Sequence, residues 1–225
     1  MPNTDHSVPF WSQAANHFKN MPNVIFDLFN EPYPDRTSGG DAWSCFRDGG
    51  ACPGINFNVA GYQTLVNTVR NTGAKNVVMI GGLSYSNDLS QWLQYKPNDP
   101  LNQLTASTHI YNFNACSYSS CWENQLLPVS KQVPLIVGEF GENDCQGGFV
   151  NALSEWFLGH GQYSGHGYQI SHLAWTWNTW DCKSGPAVIS NYDGTCTNNY
   201  GCTVKNLFQS TPIVREHSKP HSMLQ

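Results

Sequence analysis

Residues 24–32 of this chain read VIFDLFNEP, an apolar run that ends on a carboxylate. Apolar and aromatic residues bounded by Pro22 and Pro32 predict a buried strand, and strands of a parallel sheet carry functional groups at their ends. Residues 133–141, VPLIVGEFG, repeat the pattern and place Glu139 where the first strand has Glu31. Two strands that each deliver one glutamate to the same edge of a sheet indicate paired acid–base chemistry.

Extended and helical patterns alternate along the rest of the chain. Further strands are predicted at 76–82, 104–111 and 172–178, and helices at 8–20, 56–72, 122–129, 149–158 and 204–209, with a weaker candidate at 89–93. Phe10, Ala14 and Phe18 recur at helical spacing in the first helix. Such alternation is typical of α/β proteins with βα units around a parallel sheet. A (β/α)8 TIM-type barrel needs eight units, so five strands and an opening helix predict strands 4 to 8 of an incomplete barrel.

Length and composition limit the class of protein. The 225 residues, about 40% of them hydrophobic, predict one domain over residues 1–210, followed by a disordered tail or linker remnant at 211–225. A net charge of −5 argues against a nucleic-acid partner, and no apolar run is long enough to span a membrane. Eight tryptophans and ten tyrosines leave two interpretations open, thick core packing or platforms for flat ligands such as sugar rings.

Eight cysteines in local pairs predict disulfides and an oxidising compartment, and hence a secreted protein. The spacing predicts the pairs Cys45–Cys52, Cys116–Cys121, Cys196–Cys202 and, by remainder, Cys145–Cys182. No metal site is predicted, because thiol and imidazole spacings typical of zinc are missing. The first residues lack a basic and apolar signal segment, so we expect either that it was removed or that this is an internal piece with an added methionine.

The strings Asn30-Glu31-Pro32 and 136–141, IVGEFG, resemble glycoside hydrolase family 5, a branch of the retaining (β/α)8 glycosidases. The resemblance covers about residues 8–209. It implies that Glu31, at the end of strand 4, is the acid/base and that Glu139, at the end of strand 7, is the nucleophile. The order of five strands counted 4 to 8 agrees with these places, and no cofactor is implied.

The same resemblance extends to residues that would bind substrate. His109 and Tyr111 resemble the family's His-x-Tyr, whose tyrosine hydroxyl can donate a hydrogen bond to the nucleophile. Asn30 resembles the residue that binds the sugar 2-hydroxyl. Residues 174–178, AWTWN, look like strand 8, whose final tryptophan lies under the sugar at the cleavage point, and we expect this to be Trp177 rather than Trp175.

Three other carboxylates receive structural interpretations. Because side chains alternate along a strand, Asp27 is predicted to be buried on the inward face with Glu31, in a structural ion pair. Glu142 and Asp144 are predicted to be solvated loop residues.

The long segment 32–55, rich in Gly, Asp and Pro, is predicted to be a loop that walls the site.

The resemblance implies a retaining endo-β-1,4-glucanase, or cellulase, which cleaves β-glucan through a covalent glycosyl-enzyme. β-Mannanase stays open as an alternative, because the motifs do not determine recognition at the 2-hydroxyl. A hypothesis of another class is a sugar-binding fragment without activity, since the family's arginine on strand 2 and histidine on strand 3 have no counterpart. We expect a monomer unless a partner supplies strands 1 to 3.

Overall fold

The computed structural model describes residues 1–36, 38–164, 170–182 and 184–210, so the tail predicted at 211–225 lies outside the described residues. The strands are β1 (Phe26–Asp27), β2 (Gly49–Ala51), β3 (Asn58–Ala60), β4 (Val78–Gly81), β5 (Leu104–Tyr111), β6 (Leu135–Gly141) and β7 (Ser171–Ala174). The helices are α1 (Ser7–Phe18), α2 (Ala42–Asp48), α3 (Tyr62–Asn71), α4 (Leu83–Ser86), α5 (Trp92–Tyr95), α6 (Ser119–Cys121), α7 (Leu127–Ser130), α8 (Gly148–Leu158) and α9 (Tyr200–Ser210). A π-helical turn, Trp122–Leu126, joins α6 to α7.

Five strands form one parallel sheet in the order β1-β4-β5-β6-β7. Every residue of the central strand β5 is buried. Among the described residues, the edge strands β1 and β7 each pair with one neighbour, so the sheet is open. The predicted parallel sheet of five strands with helical crossovers is confirmed.

Helices pack against one side of this sheet. The side chains of α1 that are buried there are not the ones that the apolar spacing predicted. Trp11 and Ala15 of α1 are buried, whereas Phe10 is 59% exposed. The Trp11 ring packs edge-on against Phe26 of β1, and its indole N–H donates to the carbonyl of Leu28 at 2.9 Å. Both faces of α1 carry apolar residues, and the indole hydrogen bond stabilises the one that packs on β1.

Two predicted strands are shorter than their apolar runs suggested. β1 has two residues and ends at Asp27, four positions before Glu31, and β7 ends at Ala174 instead of continuing to Asn178. These are the edge strands, which have a neighbour on one side only. Fewer hydrogen-bond partners let the chain leave the extended conformation earlier.

The segment predicted as a loop at 32–55 contains regular structure. It holds short 3₁₀ turns, helix α2 and strand β2, and β2 pairs antiparallel with β3 in a small hairpin. All four predicted disulfides are present, with Cα–Cα distances of 5.2 to 5.7 Å. Among the described helices, none combines the length and hydrophobicity that crossing a bilayer requires.

Candidate active site

A cavity of about 540 Å³ lies where the carboxyl ends of the parallel strands meet. Its walls come from the ends of β5 and β6 and from segments that follow β1, β4, β5 and β7. The lining residues are Asn30, Glu31, Arg36, Tyr85, Tyr111, Phe113, Asn114, Glu139, Trp175 and Pro186. The predicted glutamates Glu31 and Glu139 are therefore brought together, although 108 residues separate them in sequence.

Glu139 reaches this cavity because β6 contains a β-bulge. Between Val137 and Phe140 the strand has one residue more than β7, and its register against β5 shifts at the same place. Phe140 packs edge-on against Phe157 of α8, so Phe140 and the fully buried Val137 both face the helices. Regular alternation would turn Glu139 toward the helices as well; the extra residue turns it toward the open face.

Glycine is required at position 138 within this bulge. A Cβ atom there would lie 2.6 Å from Ser107 Oγ and 3.3 Å from His109 Nε2. The side chains of β5 therefore lie directly over the Gly138 backbone. This close approach keeps His109 next to the glutamate that follows the glycine.

Tyr111 holds the carboxylate of Glu139. Its hydroxyl donates to Glu139 Oε2 at 2.5 Å, and its ring stacks on Phe113 with centroids 5.0 Å apart. Burial, reinforced by the bond to Glu139, raises the pKa of the Tyr111 phenol. Tyr111 consequently remains a neutral donor throughout the ordinary pH range.

Glu31 is positioned by contacts outside the sheet. It lies beyond the end of β1 with a φ of 47°, a left-handed value that residues other than glycine rarely adopt. Its Oε1 lies 2.8 Å from Nδ1 of His109, and the next residue, Pro32, accepts the backbone N–H of Tyr85 at 3.2 Å. The side chain is 29% exposed, so it is open to the cavity and held at its tip.

His109 connects the two carboxylates. Besides its contact with Glu31, its Nδ1 lies 3.4 Å from Glu139 Oε2, and the residue is only 3% exposed. The Nδ1 atom donates or accepts in the shorter contact according to the tautomer of the imidazole. One ligand atom from each of the three residues lies within 4.8 Å of the others, a spacing that also suits a metal ion.

Asp27 follows Phe26 in β1. Because side chains alternate along a strand, Asp27 points away from the helices, toward the open face of the sheet. The residue is exposed, and within the described part of the chain it has no ion pair, so the predicted buried pair is wrong. Partial loss of hydration raises the pKa of its carboxyl to about 6; His109 opposes this shift and Glu139 adds to it. Asp27 is thus electrostatically coupled to His109 and Glu139.

Trp175, not Trp177, lines the cavity. Trp177 is 62% exposed and is not among the described residues that line this cavity, so its place under the sugar stays a prediction. The backbone N–H of Trp175 donates to the carbonyl of Phe140 at 2.8 Å, and its own carbonyl accepts the Tyr200 hydroxyl at 2.5 Å. These bonds attach Trp175 to the strand end that carries Glu139. Asn30 lines the cavity, and its contact with the sugar 2-hydroxyl stays a prediction.

Glu142 has a structural role that differs from the predicted solvated loop residue. It is fully buried and accepts the backbone N–H groups of Gly147 and Val150 at the start of α8. Burial raises the pKa of its carboxyl, and the bonds from the backbone oppose that shift. The carboxylate therefore satisfies donors that the first turn of a helix leaves free.

Several lining residues were not predicted individually. Tyr85 lies in α4, a single turn in which three consecutive residues have φ of 52°, 61° and 60°. Its ring stacks on Tyr33 at 4.9 Å, and the guanidinium of Arg36 lies 5.6 Å from the centroid of the same ring. Arg36 belongs to the segment predicted to wall the site, whereas no local signal marks Tyr85 as part of a left-handed turn.

Comparisons with known proteins agree with this arrangement. The cellulase family, glycosyl hydrolase family 5, matches the chain over residues 3–181. Similar solved structures include an endo-β-1,4-glucanase from Xanthomonas axonopodis pv. citri, with 18% identity and a TM-score of 0.59 over 91% of this chain and 66% of that one. A hyperthermophilic endocellulase from Pyrococcus horikoshii has 18% identity and a TM-score of 0.64 over 90% and 62% of the two chains.

A β-glucanase from Saccharophagus degradans in complex with cellotetraose has 15% identity and a TM-score of 0.62, covering 91% of this chain and 60% of that one. The chain therefore spans 60 to 66% of the length of these three structures. At such identities the likeness establishes the fold, and it agrees with five strands of a (β/α)8 barrel.

Proposed function

The chain belongs to the cellulase family, glycosyl hydrolase family 5, and on that premise we propose that it is a retaining endo-β-1,4-glucanase. Glu139 is the proposed nucleophile and Glu31 the proposed acid/base. The substrate class is a neutral β-glucan, and four disulfides support an extracellular setting.

The observation that carries this proposal is the distance between the two carboxylates. An oxygen of Glu31 and an oxygen of Glu139 lie within 4.8 Å of each other. Retaining glycosidases place their carboxyl groups about 5–5.5 Å apart, whereas inverting enzymes need about 6.5–9.5 Å to admit a water molecule between carboxylate and sugar. The spacing supports attack by one glutamate on the sugar itself.

In the proposed reaction, Glu139 attacks the anomeric carbon while Glu31 donates its proton to the departing glycosidic oxygen. The bond from carbon to that oxygen breaks as the bond to Glu139 forms. Glu31, now ionised, takes a proton from water, and the resulting hydroxide releases the sugar from Glu139. The Tyr111 hydroxyl, 2.5 Å from Glu139, orients the attacking carboxylate.

Sugar binding is assigned to the polar and aromatic walls of the cavity. Asn30 is the proposed partner of the 2-hydroxyl, and Trp175 supplies an aromatic surface beside Glu139. Because Asn30 alone does not separate glucose from mannose, initial rates on β-glucan and β-mannan should be compared. A large preference for mannan would contradict the glucanase assignment and leave the glycosidase assignment standing.

Azide rescue tests the two roles separately. With a dinitrophenyl β-cellobioside, Glu139→Ala should recover activity in azide and give the α-glycosyl azide, because azide enters on the face that the nucleophile left. Glu31→Ala should give the β-glycosyl azide, because azide then attacks the glycosyl-enzyme. The reverse assignment of anomers would exchange the roles, and inversion by the unmodified chain would refute the retaining mechanism.

A sugar-binding protein without activity is the second candidate, and the open sheet favours it. Asp27 and Leu173, the latter 55% exposed, lie on the face that eight strands would enclose. This candidate predicts that the unmodified chain binds cello-oligosaccharides and releases no reducing ends from soluble cellulose derivatives. Release that disappears in Glu139→Gln would exclude it.

A further inference from the structure

A second groove, of about 540 Å³, lies on the helical side of the molecule, apart from the cavity that contains the glutamates. Its walls are the segment around α5, the end of the loop after β5, and the π-helical turn with α7. We call it the amide groove after the side chains Gln91, Gln94, Asn124 and Gln125, which line it together with Tyr118.

The chemistry of the amide groove is neutral and polar above an apolar base. Gln91, Gln94 and Asn124 are exposed, and their side chains make no hydrogen bond within the described part of the chain. Leu93 and Val129 contribute apolar surface, and none of the described residues that line the groove is acidic or basic. Amides both donate and accept hydrogen bonds, so they suit hydroxyl groups better than a charged ligand, which would need an opposite charge.

Tyr118 adds an aromatic surface at the rim, where it is 57% exposed. A tyrosine ring in this position presents an apolar face and a polar hydroxyl. Pyranose sugars have the matching character, because their C–H groups form an apolar face and their hydroxyls surround it. The combination of one aromatic ring and three unpaired amides therefore favours a sugar.

The walls of the groove are fixed without a ligand. The disulfide Cys116–Cys121 closes the short loop that carries Tyr118, and the Trp122 indole donates to the carbonyl of Cys116 at 3.2 Å. Gln125 accepts the backbone N–H of Leu89 at 2.9 Å and so joins the two sides. π-Helical turns are rare and occur frequently at functional sites, and here one carries Asn124. A site fixed in this way loses little conformational freedom on binding.

The same loop serves both sites. Phe113 and Asn114 line the catalytic cavity, and Tyr118, a few residues further, lines the amide groove. We propose that the amide groove is a second binding site for a neutral β-linked oligosaccharide, separate from the proposed site of cleavage. That the ligand is a β-linked sugar rests on the proposed function. That the ligand is neutral and carries several hydroxyl groups rests on the side chains of the groove alone.

The test uses the full chain with Glu139→Gln, which prevents hydrolysis, and cellotetraose as the probe in an NMR titration. Amide signals should move in two sets, one around Tyr111 and one around Asn124. The combined variant Tyr118→Ala, Gln94→Ala and Asn124→Ala should weaken binding for the second set at least about tenfold and leave the first unchanged. In a chain with Glu139 intact, the same substitutions should leave hydrolysis of the dinitrophenyl cellobioside unchanged.

Matched controls are Tyr192→Ala and Gln13→Ala, which remove exposed side chains that line neither cavity. Movement of the first set alone would overturn the proposal, as would a second set that persists in the combined variant. If the groove binds cellotetraose while the unmodified chain cleaves nothing, the proposed function fails and the second site stands. If the unmodified chain cleaves the substrate and no signals around Asn124 move, the proposed second site is refuted and the proposed function stands.

Discussion

The two glutamates of the site are held in different ways. Glu139 belongs to β6, which is paired on both sides, and a bulge with Gly138 at its centre sets its direction. Glu31 lies four residues beyond a two-residue edge strand, in a left-handed conformation, with His109 at its tip. One carboxylate is positioned by the sheet, and the other by side chains and a loop.

This difference suits the roles proposed for them. A nucleophile forms a covalent bond to one carbon atom, so its position must be fixed closely. An acid/base serves a departing sugar in one step and water in the next, and a looser attachment accommodates both. Substitutions around each glutamate can therefore test how much of the chemistry depends on each kind of support.

The largest effect is expected for Glu139→Gln. Loss of the nucleophile should lower kcat by roughly 10⁴- to 10⁶-fold, as removal of a covalent catalyst does elsewhere. Rates on a soluble cellulose derivative, with circular dichroism to verify folding, measure this. A loss below tenfold would show that Glu139 is not the nucleophile.

Glu31→Gln should be less damaging, by about 10²- to 10⁴-fold on cellulose derivatives, which is the usual contribution of acid–base catalysis. Because an activated leaving group needs no proton, the first step on a dinitrophenyl cellobioside should be almost unaffected. A burst of dinitrophenol, measured in a stopped-flow instrument, is the expected sign. Equal losses on both substrates would contradict an acid role.

Tyr111→Phe removes the hydroxyl that bonds Glu139 and keeps the ring stacked on Phe113. We expect kcat to fall about 10- to 100-fold, because a hydrogen bond to a charged group contributes about 1.5–3 kcal/mol. The alkaline limb of the kcat profile should not move, since the buried phenol does not ionise in that range. Tyr33→Phe is the matched control, because its ring stacks on Tyr85 of the cavity wall and has no contact with either glutamate among the described residues.

The two tryptophans after β7 allow a comparison between a residue of the cavity wall, Trp175, and an exposed residue, Trp177. Trp175→Ala should raise KM for cello-oligosaccharides about tenfold, because it removes the aromatic surface beside Glu139. Trp177→Ala should change KM little. A larger effect for Trp177 would return the sugar platform to that residue.

The smallest effect is expected at the β1 end, for Asp27→Asn. The Asp27 carboxyl has a pKa of about 6 in the fold, above its ordinary value of 3.8. The contribution of Asp27 to the free energy of unfolding is therefore fully present below a pH of about 4 and is lost as the pH rises through about 6. Urea unfolding at several pH values should show the variant gaining stability relative to the parent over this interval; parallel curves would contradict the raised pKa.

Sequence reasoning was most successful where one local pattern determined the structure. The predicted strand 104–111 coincides with β5, since a central strand must be buried along its full length. Three disulfides followed from separations of five to seven residues, which leave little choice of partner. In the candidate site, the strand ends brought Glu31, His109, Tyr111 and Glu139 together as the resemblance implied.

The errors arose where tertiary contacts decide between equal patterns. Helix α1 has apolar residues on two faces, and the buried one follows from the bond between Trp11 and Leu28, which periodicity does not encode. Glu142 looks like any loop carboxylate until α8 begins next to it. Which tryptophan after β7 lines the cavity depends on where an edge strand ends, and sequence patterns locate such ends poorly.

The disulfides also divide the molecule by its response to a reductant. Three of them join cysteines only five to seven positions apart and contribute little to holding distant parts together. Cys145–Cys182 spans 37 positions and ties the segment after β6 to the segment after β7, the strands that end next to Glu139 and Trp175. In a thiol-rich cytosol the sheet would keep its hydrogen bonds, but the cavity would lose the Cys145–Cys182 cross-link beside it. Production in an oxidising host is therefore a condition for measuring the proposed activity as well as for preserving the fold.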